Sequence, residues 1–155
     1  MIYEYALVDA GESTVTAQLR PPALPQTCRK IRAETRGTWY TMNTFLFTIR
    51  DCDARFTMAW ADLVDGLHEV DEETVIEISG QPNWANLLGW CRTVCDENCL
   101  FMEQDEEEGA LETVIATAHA IAARHCQNDW PWSECEKTLE DLHLTVGKWE
   151  PKWLQ

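Results

Sequence analysis

Residues 26–47 constrain the fold most, because a helical pattern runs directly into a strand pattern. The positions of one predicted helix face recur at steps of three and four residues. They are Leu24, Cys28, Ile31, Thr35 and Trp39. Asn43 ends this helix, and the segment TFLFTIR that follows alternates as a half-buried strand does, with Phe45, Phe47 and Ile49 on one side. The stretch therefore predicts a helix followed closely by a strand, both contributing to a core.

The same two patterns continue along the rest of the chain. Helical spacing covers residues 54–67, 84–95 and 111–125, and short strands are predicted at residues 14–19 and 75–79. Asn83 is placed to cap the helix that follows it, and Ser133 with Glu136 has the spacing of a capping box for the last helix. We therefore predict an α+β fold over residues 1–155, a single domain that is mostly helical with two or three short strands.

Charge limits the kinds of partner. The 155 residues carry a formal charge of −15, and residues 1–55 are nearly neutral because they hold seven of the twelve Lys and Arg residues. Such an acidic chain repels the phosphates of nucleic acid and of anionic lipid, so we expect neither nucleic acid nor membrane as a partner. The polarised distribution suits internal pairing or a polarised protein partner.

The first residues and the cysteine count bear on the cellular compartment. MIYEYALVDAGEST has neither the basic nor the apolar segment that directs secretion, and no apolar run reaches the roughly 18 residues of a membrane span. Seven cysteines is an odd number for a closed disulfide set. We expect an intracellular protein, in the cytoplasm or nucleus, with reduced thiols.

Cys91, Cys95 and Cys99 are spaced by four residues, which places their sulfur atoms in one row along a helix. A thiolate row can hold zinc or an iron–sulfur cluster. Cys91 and Cys95 also continue the apolar stripe of this helix, where a free cysteine packs as a small apolar residue. The ends of the row are about 12 Å apart, too far for bonds to one ion. We therefore expect core packing, with no metal and no cofactor.

The sequence contains no catalytic motif. It has no phosphate-binding glycine loop and no G-x-S-x-G elbow, and His68-Glu69 lacks the second histidine of H-E-x-x-H. Asp51 and Asp53 do not continue as a calcium loop, because Arg55 and Phe56 stand where a third ligand and a glycine are needed. We expect no catalytic residue and no enzymatic activity.

Two groups of residues are candidates for binding a partner protein. Arg29, Arg32 and Arg36 line one side of the predicted helix, where they either receive carboxylates or form an ordinary charged surface. Tryptophans beside prolines or near the last residue are harder to bury, so an exposed aromatic patch is expected. These are Trp130, Trp132, Trp149 and Trp153. We predict partner binding by the three arginines with Trp130, Trp132 and Trp153.

Several segments resemble the F-box-like family of uncharacterised filamentous-fungal proteins. They are IYEYALV near Met1 and LPQTCRKIRAETRGTWYTMNTFLF. The family pattern reads LPPELRNxIYEYAL followed by LLQTCRQIRxEALPIFYxxNTFxF. PNWANLLGWCR and NDWPWSECEKTLEDLH are similar to the carboxyl part of these proteins, so the resemblance covers most of the chain. Gly37 departs from the pattern, which has a larger residue followed by proline there.

The resemblance implies a protein-interaction module, the target-binding part of an F-box-like protein. Residues 1–8 correspond to a remnant of the F-box-like helix and residues 24–155 to the α+β body. The LPPELRN segment, which would imply binding to a cullin-ligase adaptor, is not part of these residues, so that adaptor is not expected as a partner. The alternative is a small-molecule- or metal-binding protein, an enzyme included, with a cavity lined by tryptophan and cysteine.

Overall fold

Helices account for most of the described chain. The computed structural model describes residues 4–7, 13–16, 19, 22–65, 74–97 and 109–154. Its helices are α1 (Glu4–Leu7), α2 (Arg29–Thr41), α3 (Arg55–Asp65), α4 (Trp84–Glu97), α5 (Ala110–Gln127) and α6 (Trp132–Trp149). Its strands are β1 (Ser13–Thr14), β2 (Phe45–Arg50) and β3 (Thr74–Ser79), and two 3-10 helices cover Leu24–Gln26 and Pro151–Leu154. The predicted α+β class, mostly helical with short strands, is confirmed.

Contacts within the chain group it into two compact units. Unit 1 comprises residues 1–49 and 56–77, and unit 2 comprises residues 50–55 and 78–155. Unit 1 holds the first three helices and most of the sheet, and unit 2 holds the last three helices. None of the helices in the described ranges combines the length and apolar character needed to cross a membrane.

Unit 1 is built on a three-stranded parallel sheet in the order β1-β2-β3. β1 pairs with β2 so that Ser13 lies opposite Phe45, and the Ser13 N–H donates to the carbonyl of Thr44 at 2.9 Å. The alternation predicted for β2 is confirmed, because Phe45, Phe47 and Ile49 are buried. The first strand is shorter than residues 14–19 and begins one residue earlier.

Aromatic side chains form the core of unit 1. The ring of Trp60 on α3 lies 5.4 Å from Phe45, 5.6 Å from Tyr40 and 5.9 Å from Phe47, between ring centroids. α2 ends at Thr41, next to the predicted terminator Asn43. The buried Asn43 amide donates to the carbonyls of Trp39 at 2.7 Å and Leu7 at 2.8 Å, which satisfies backbone groups at the helix end.

The amino end of α2 differs from the sequence expectation. α2 begins at Arg29, not at residue 24, and Cys28 is its exposed N-cap residue. Pro25 lies in the separate 3-10 helix, where its fixed φ and missing N–H are tolerated. The buried helix face therefore starts at Ile31 and continues through Thr35 and Trp39, without Cys28.

Unit 2 is a packed group of three helices, α4, α5 and α6, each in contact with the other two. Their fully buried side chains are mostly aliphatic or small. They include Leu87, Cys91, Val94, Ile115, Ala118, Ala122, Cys135 and Leu139. The three helices follow one another in the sequence, and their packing against each other forms the core of unit 2.

The starts of the helices in unit 2 only partly follow the predicted caps. Asn83 caps α4 as predicted, since its Oδ1 accepts the N–H of Asn86 at 3.1 Å. The predicted capping box of Ser133 and Glu136 is wrong, because α6 begins at Trp132 and the N-cap residue of this helix is Pro131. The extended ψ of 143° at Pro131 starts the helix one residue before Ser133, which therefore lies inside it.

Candidate functional site

The basic side of α2 is the first candidate surface. Arg29, Lys30 and Arg32 lie in the first turns of the helix and are exposed. The first turn contains no acidic residue, so these cations stand at the end of the helix where the backbone N–H groups already give positive potential. We call Arg29, Arg32 and Arg36 the α2 arginine row, although the side chain of Arg36 lies outside the described residues.

Few local contacts neutralise this charge. Lys30 lies 3.9 Å from Glu34, an exposed i,i+4 pair of the kind that contributes little to stability. The Arg32 Nε–H donates to the carbonyl of Pro25 at 3.0 Å, which holds that guanidinium against the preceding 3-10 helix. Among the described residues no carboxylate lies within salt-bridge distance of Arg29 or Arg32. The two guanidinium groups keep their charge for a partner.

Trp130 lies between α5 and α6 in unit 2, and Trp132 is at the start of α6. Trp130 is 55% exposed, and its ring stands edge-on to the buried imidazole of His125 at 4.8 Å. His125 is in turn 3.4 Å from the Thr138 hydroxyl of α6 through its Nε2. Trp132 is half-buried as the first residue of α6. Trp130 therefore presents a large apolar face to solvent from a fixed position.

Trp153 is a core residue, and the expectation that it is exposed is wrong. It is 2% exposed, and its ring lies edge-on to Trp84 at 6.0 Å. Its carbonyl accepts the Nε2–H of His143 at 2.7 Å, and the imidazole of His143 stacks flat on Trp84 at 4.4 Å. These contacts attach the last 3-10 helix to α4 and α6. The tryptophan that does reach solvent near this end is Trp149, which is 86% exposed.

The cysteine row on α4 packs as core where the structure describes it. Cys91 is fully buried and Cys95 is half-buried, and burial raises the pKa of both thiols. Cys99 lies outside the described residues. Within the described ranges no group of three or more His, Cys, Asp or Glu side chains is arranged to hold a metal ion. In the described part of the chain, Cys91 and Cys95 therefore have no third side chain placed to complete a metal site with them.

The two aspartates after β2 have structural partners that the sequence did not indicate. Asp51 has φ 53°, and one of its carboxylate oxygens accepts the N–H of Gln81 at 2.6 Å. Its carbonyl accepts the side-chain amide of Asn86 at 2.9 Å. Asp53 accepts the Nε–H of Arg55 at 2.8 Å, and this bond lowers the pKa of its carboxyl group. Asp51 thus holds the chain ahead of α4 and within its first turn, and Asp53 holds the start of α3.

No family model, no curated protein and no solved structure matches this chain. The resemblance to the F-box-like family therefore stays a prediction. The function of this protein has to be argued from its exposed residues. Among these, the α2 arginine row and Trp130 are the best candidates for binding a partner.

Proposed function

We propose that this chain is a non-enzymatic protein-interaction module that binds an acidic surface of a partner protein through the α2 arginine row. The observation that carries the proposal is the exposure of Arg29 and Arg32 on one rigid helix, with no carboxylate near either guanidinium in the described part of the chain. Arginine suits this role, because its planar guanidinium binds a carboxylate through two parallel hydrogen bonds.

The electrostatics favour a partner with a local acidic patch. The chain as a whole has a charge of −15, so a uniformly acidic partner is repelled at long range. At short range the arginines and the positive end of α2 attract carboxylates. A partner with a confined acidic patch on a neutral or basic surface satisfies both conditions. Nucleic acid and anionic membrane do not, since their charge is continuous.

Trp130 is a second proposed contact, independent of the arginine row because it belongs to unit 2. Exposed tryptophans contribute strongly to protein interfaces, since one side chain buries a large apolar area with few rotatable bonds. The ring is supported by His125 and needs little ordering on binding. Trp132, half-buried beside it, is proposed to border the same contact.

The six described cysteines are free thiols, the state expected in a reducing compartment. We propose that the protein works in the cytoplasm or nucleus. Through the resemblance of the chain to the F-box-like family, the proposed role is binding of a target protein.

Affinity purification with a matched charge control tests the proposal. The Arg29→Glu/Arg32→Glu variant reverses two exposed charges in unit 1, and the Arg92→Glu/Lys137→Glu variant makes the same charge change on exposed helix positions of unit 2. Each tagged protein is incubated with an extract of filamentous-fungal cells, and bound proteins are quantified by mass spectrometry. We expect partners that are retained by the wild type and the unit 2 variant and lost from the unit 1 variant.

Isothermal titration calorimetry then measures the affinity of each variant for the partner identified in this way. Loss of two carboxylate contacts should weaken binding by at least about tenfold, and the wild-type affinity should fall as salt is added. Trp130→Ala should weaken binding on its own while both arginines are intact. If the two charge variants lose the same proteins to the same degree, only net charge matters and the proposed surface is wrong.

A further inference from the structure

Four cysteines of unit 2 approach one another from three different helices. Cys91 and Cys95 lie on α4, Cys126 on α5 and Cys135 on α6. All four are free thiols. The sequence places only the first two side by side, because the others are separated from them by a whole helix or more.

Cys95 lies close to both Cys126 and Cys135, but among the described residues only Cys95 and Cys126 are linked by thiol–backbone hydrogen bonds in both directions between their helices. The Cys95 thiol donates to the carbonyl of Ala122 on α5 at 3.3 Å, and the Cys126 thiol donates to the carbonyl of Cys95 at 3.2 Å. Ala122 lies one helical turn before Cys126, on the same face of α5. Each thiol is therefore bonded to the backbone near the other thiol, which brings the two side chains close together.

Access distinguishes this pair from the other two cysteines. Cys95 and Cys126 are each half-buried, so solvent reaches both, whereas Cys91 and Cys135 are buried. This partial exposure makes the pair more accessible to a reagent in solution than Cys91 and Cys135 are. Neither thiol is one of the proposed partner contacts, which are the α2 arginine row with Trp130 and Trp132.

We propose that Cys95 and Cys126 are a redox pair that forms a reversible disulfide between α4 and α5 on exchange with a low-molecular-weight disulfide. The inference does not depend on the proposed interaction function. It is a device that responds to the redox state of the compartment, since the same bond is broken again when small thiols are in excess.

The chemistry proceeds through a mixed disulfide. The deprotonated Cys126 sulfur attacks one sulfur of the small disulfide, whose S–S bond breaks and releases one small thiolate. The Cys95 thiol gives its proton to that thiolate or to water and attacks the Cys126 sulfur, expelling the second small thiol. The protein loses two hydrogen atoms in total and the small disulfide is reduced to two thiols. Burial and neighbouring thiols raise the pKa of Cys95, so we expect Cys95 to be the thiol that attacks in the second step.

The test uses the whole chain and oxidised glutathione as the probe. The folded protein is incubated with it, alkylated and digested, and disulfide-linked peptides are mapped by mass spectrometry. We expect one dominant bridge, between Cys95 and Cys126, lost on treatment with dithiothreitol. Cys28→Ser, a change at an exposed thiol of unit 1, and Cys135→Ser should retain it, and Cys95→Ser and Cys126→Ser should abolish it.

Two further measurements distinguish native pairing from chance oxidation. The same incubation in concentrated urea should give mixed pairings, because the unfolded chain does not hold the two thiols together. The melting temperature of the oxidised protein should exceed that of the reduced protein by roughly 5 °C, since the bridge restricts the unfolded chain.

Several results would overturn the inference. A dominant bridge between Cys95 and Cys135, or glutathione-modified cysteines with no internal bridge, would show that the two thiols do not meet productively. Identical cysteine pairings in buffer and in urea would show that the folded structure does not select the Cys95–Cys126 bridge. An oxidised protein that melts below the reduced one would mean that the helices do not accommodate the bond.

Discussion

His119 makes the stability of unit 2 depend on pH. Its side chain on α5 is fully buried, with the ring edge-on to Trp90 at 4.4 Å. Burial penalises the charged imidazolium and lowers the pKa of His119 to about 4. In the unfolded chain the same group titrates at about 6.5. Between about pH 6.5 and about pH 4, His119 is therefore protonated in the unfolded state and neutral in the folded state.

The sign and size of the effect follow from this difference in pKa. Above the unfolded pKa of about 6.5 both states are neutral and the full stability is present. As the pH falls from there toward the folded pKa of about 4, the unfolded state gains a proton and stability is lost. Between about pH 7 and about pH 5 the loss assigned to His119 is about 2 kcal/mol of unfolding free energy.

Urea unfolding followed by tryptophan fluorescence measures this loss. The free energy of unfolding is determined at several pH values down to about pH 5, because the 27 acidic residues begin to titrate below that. His119→Leu is the matched variant, since leucine is similar in size and does not titrate. Its absolute stability differs from that of the wild type through packing, so only the pH dependence is compared.

We expect the wild-type free energy to fall by about 2 kcal/mol more than that of His119→Leu over this range. The histidine resonances in an NMR titration of the folded protein give an independent check on the pKa of His119. Parallel pH profiles for the two proteins, or a folded pKa near the ordinary value, would refute the reasoning. In that case His119 is either hydrated or already open to solvent in the folded state.

Two pairs of substitutions test the packing by urea unfolding. Gly80 has φ 89°, and a Cβ there would overlap the carboxylate of Asp51, so Gly80→Ala should cost at least about 2 kcal/mol. Gly89→Ala, on exposed helix with nothing within 4 Å, should stabilise by about 0.5–1 kcal/mol, and equal effects would contradict the assigned strain. Trp153→Ala should cost about 3–5 kcal/mol because the ring is buried. Trp149→Ala should stay within about 0.5 kcal/mol, and a larger loss would mean that Trp149 also packs.

Local patterns predicted the elements whose formation depends on local physics. The alternation of Phe45, Phe47 and Ile49 predicted β2, because a period of two leaves one face of a strand for burial. Asn83 predicted the start of α4, because a side-chain oxygen at this position accepts a helix N–H whatever the rest of the fold does. Positions of this kind carry their structural reason within a few residues.

The failures arise where a residue outside the pattern overrides it. Trp153 lies near residue 155, where burial was not expected. It is buried because its ring packs against Trp84 and its carbonyl accepts a hydrogen bond from His143. Ser133 and Glu136 have capping-box spacing, but Pro131 starts the helix earlier. The burial of Trp153 depends on which segments pack around it, and the start of α6 depends on a neighbouring residue that the capping-box spacing does not include.

The cysteines illustrate the same division at a site that matters for chemistry. Spacing along α4 correctly placed Cys91 and Cys95 on one side of a helix, and it directed attention to Cys99 as the third member. The thiol that bonds to the backbone of Cys95 is instead that of Cys126, from the next helix. Which residue of α5 faces Cys95 depends on the offset and rotation of two packed helices. That arrangement is set by their whole interface, so no spacing rule on one helix could have found the pair.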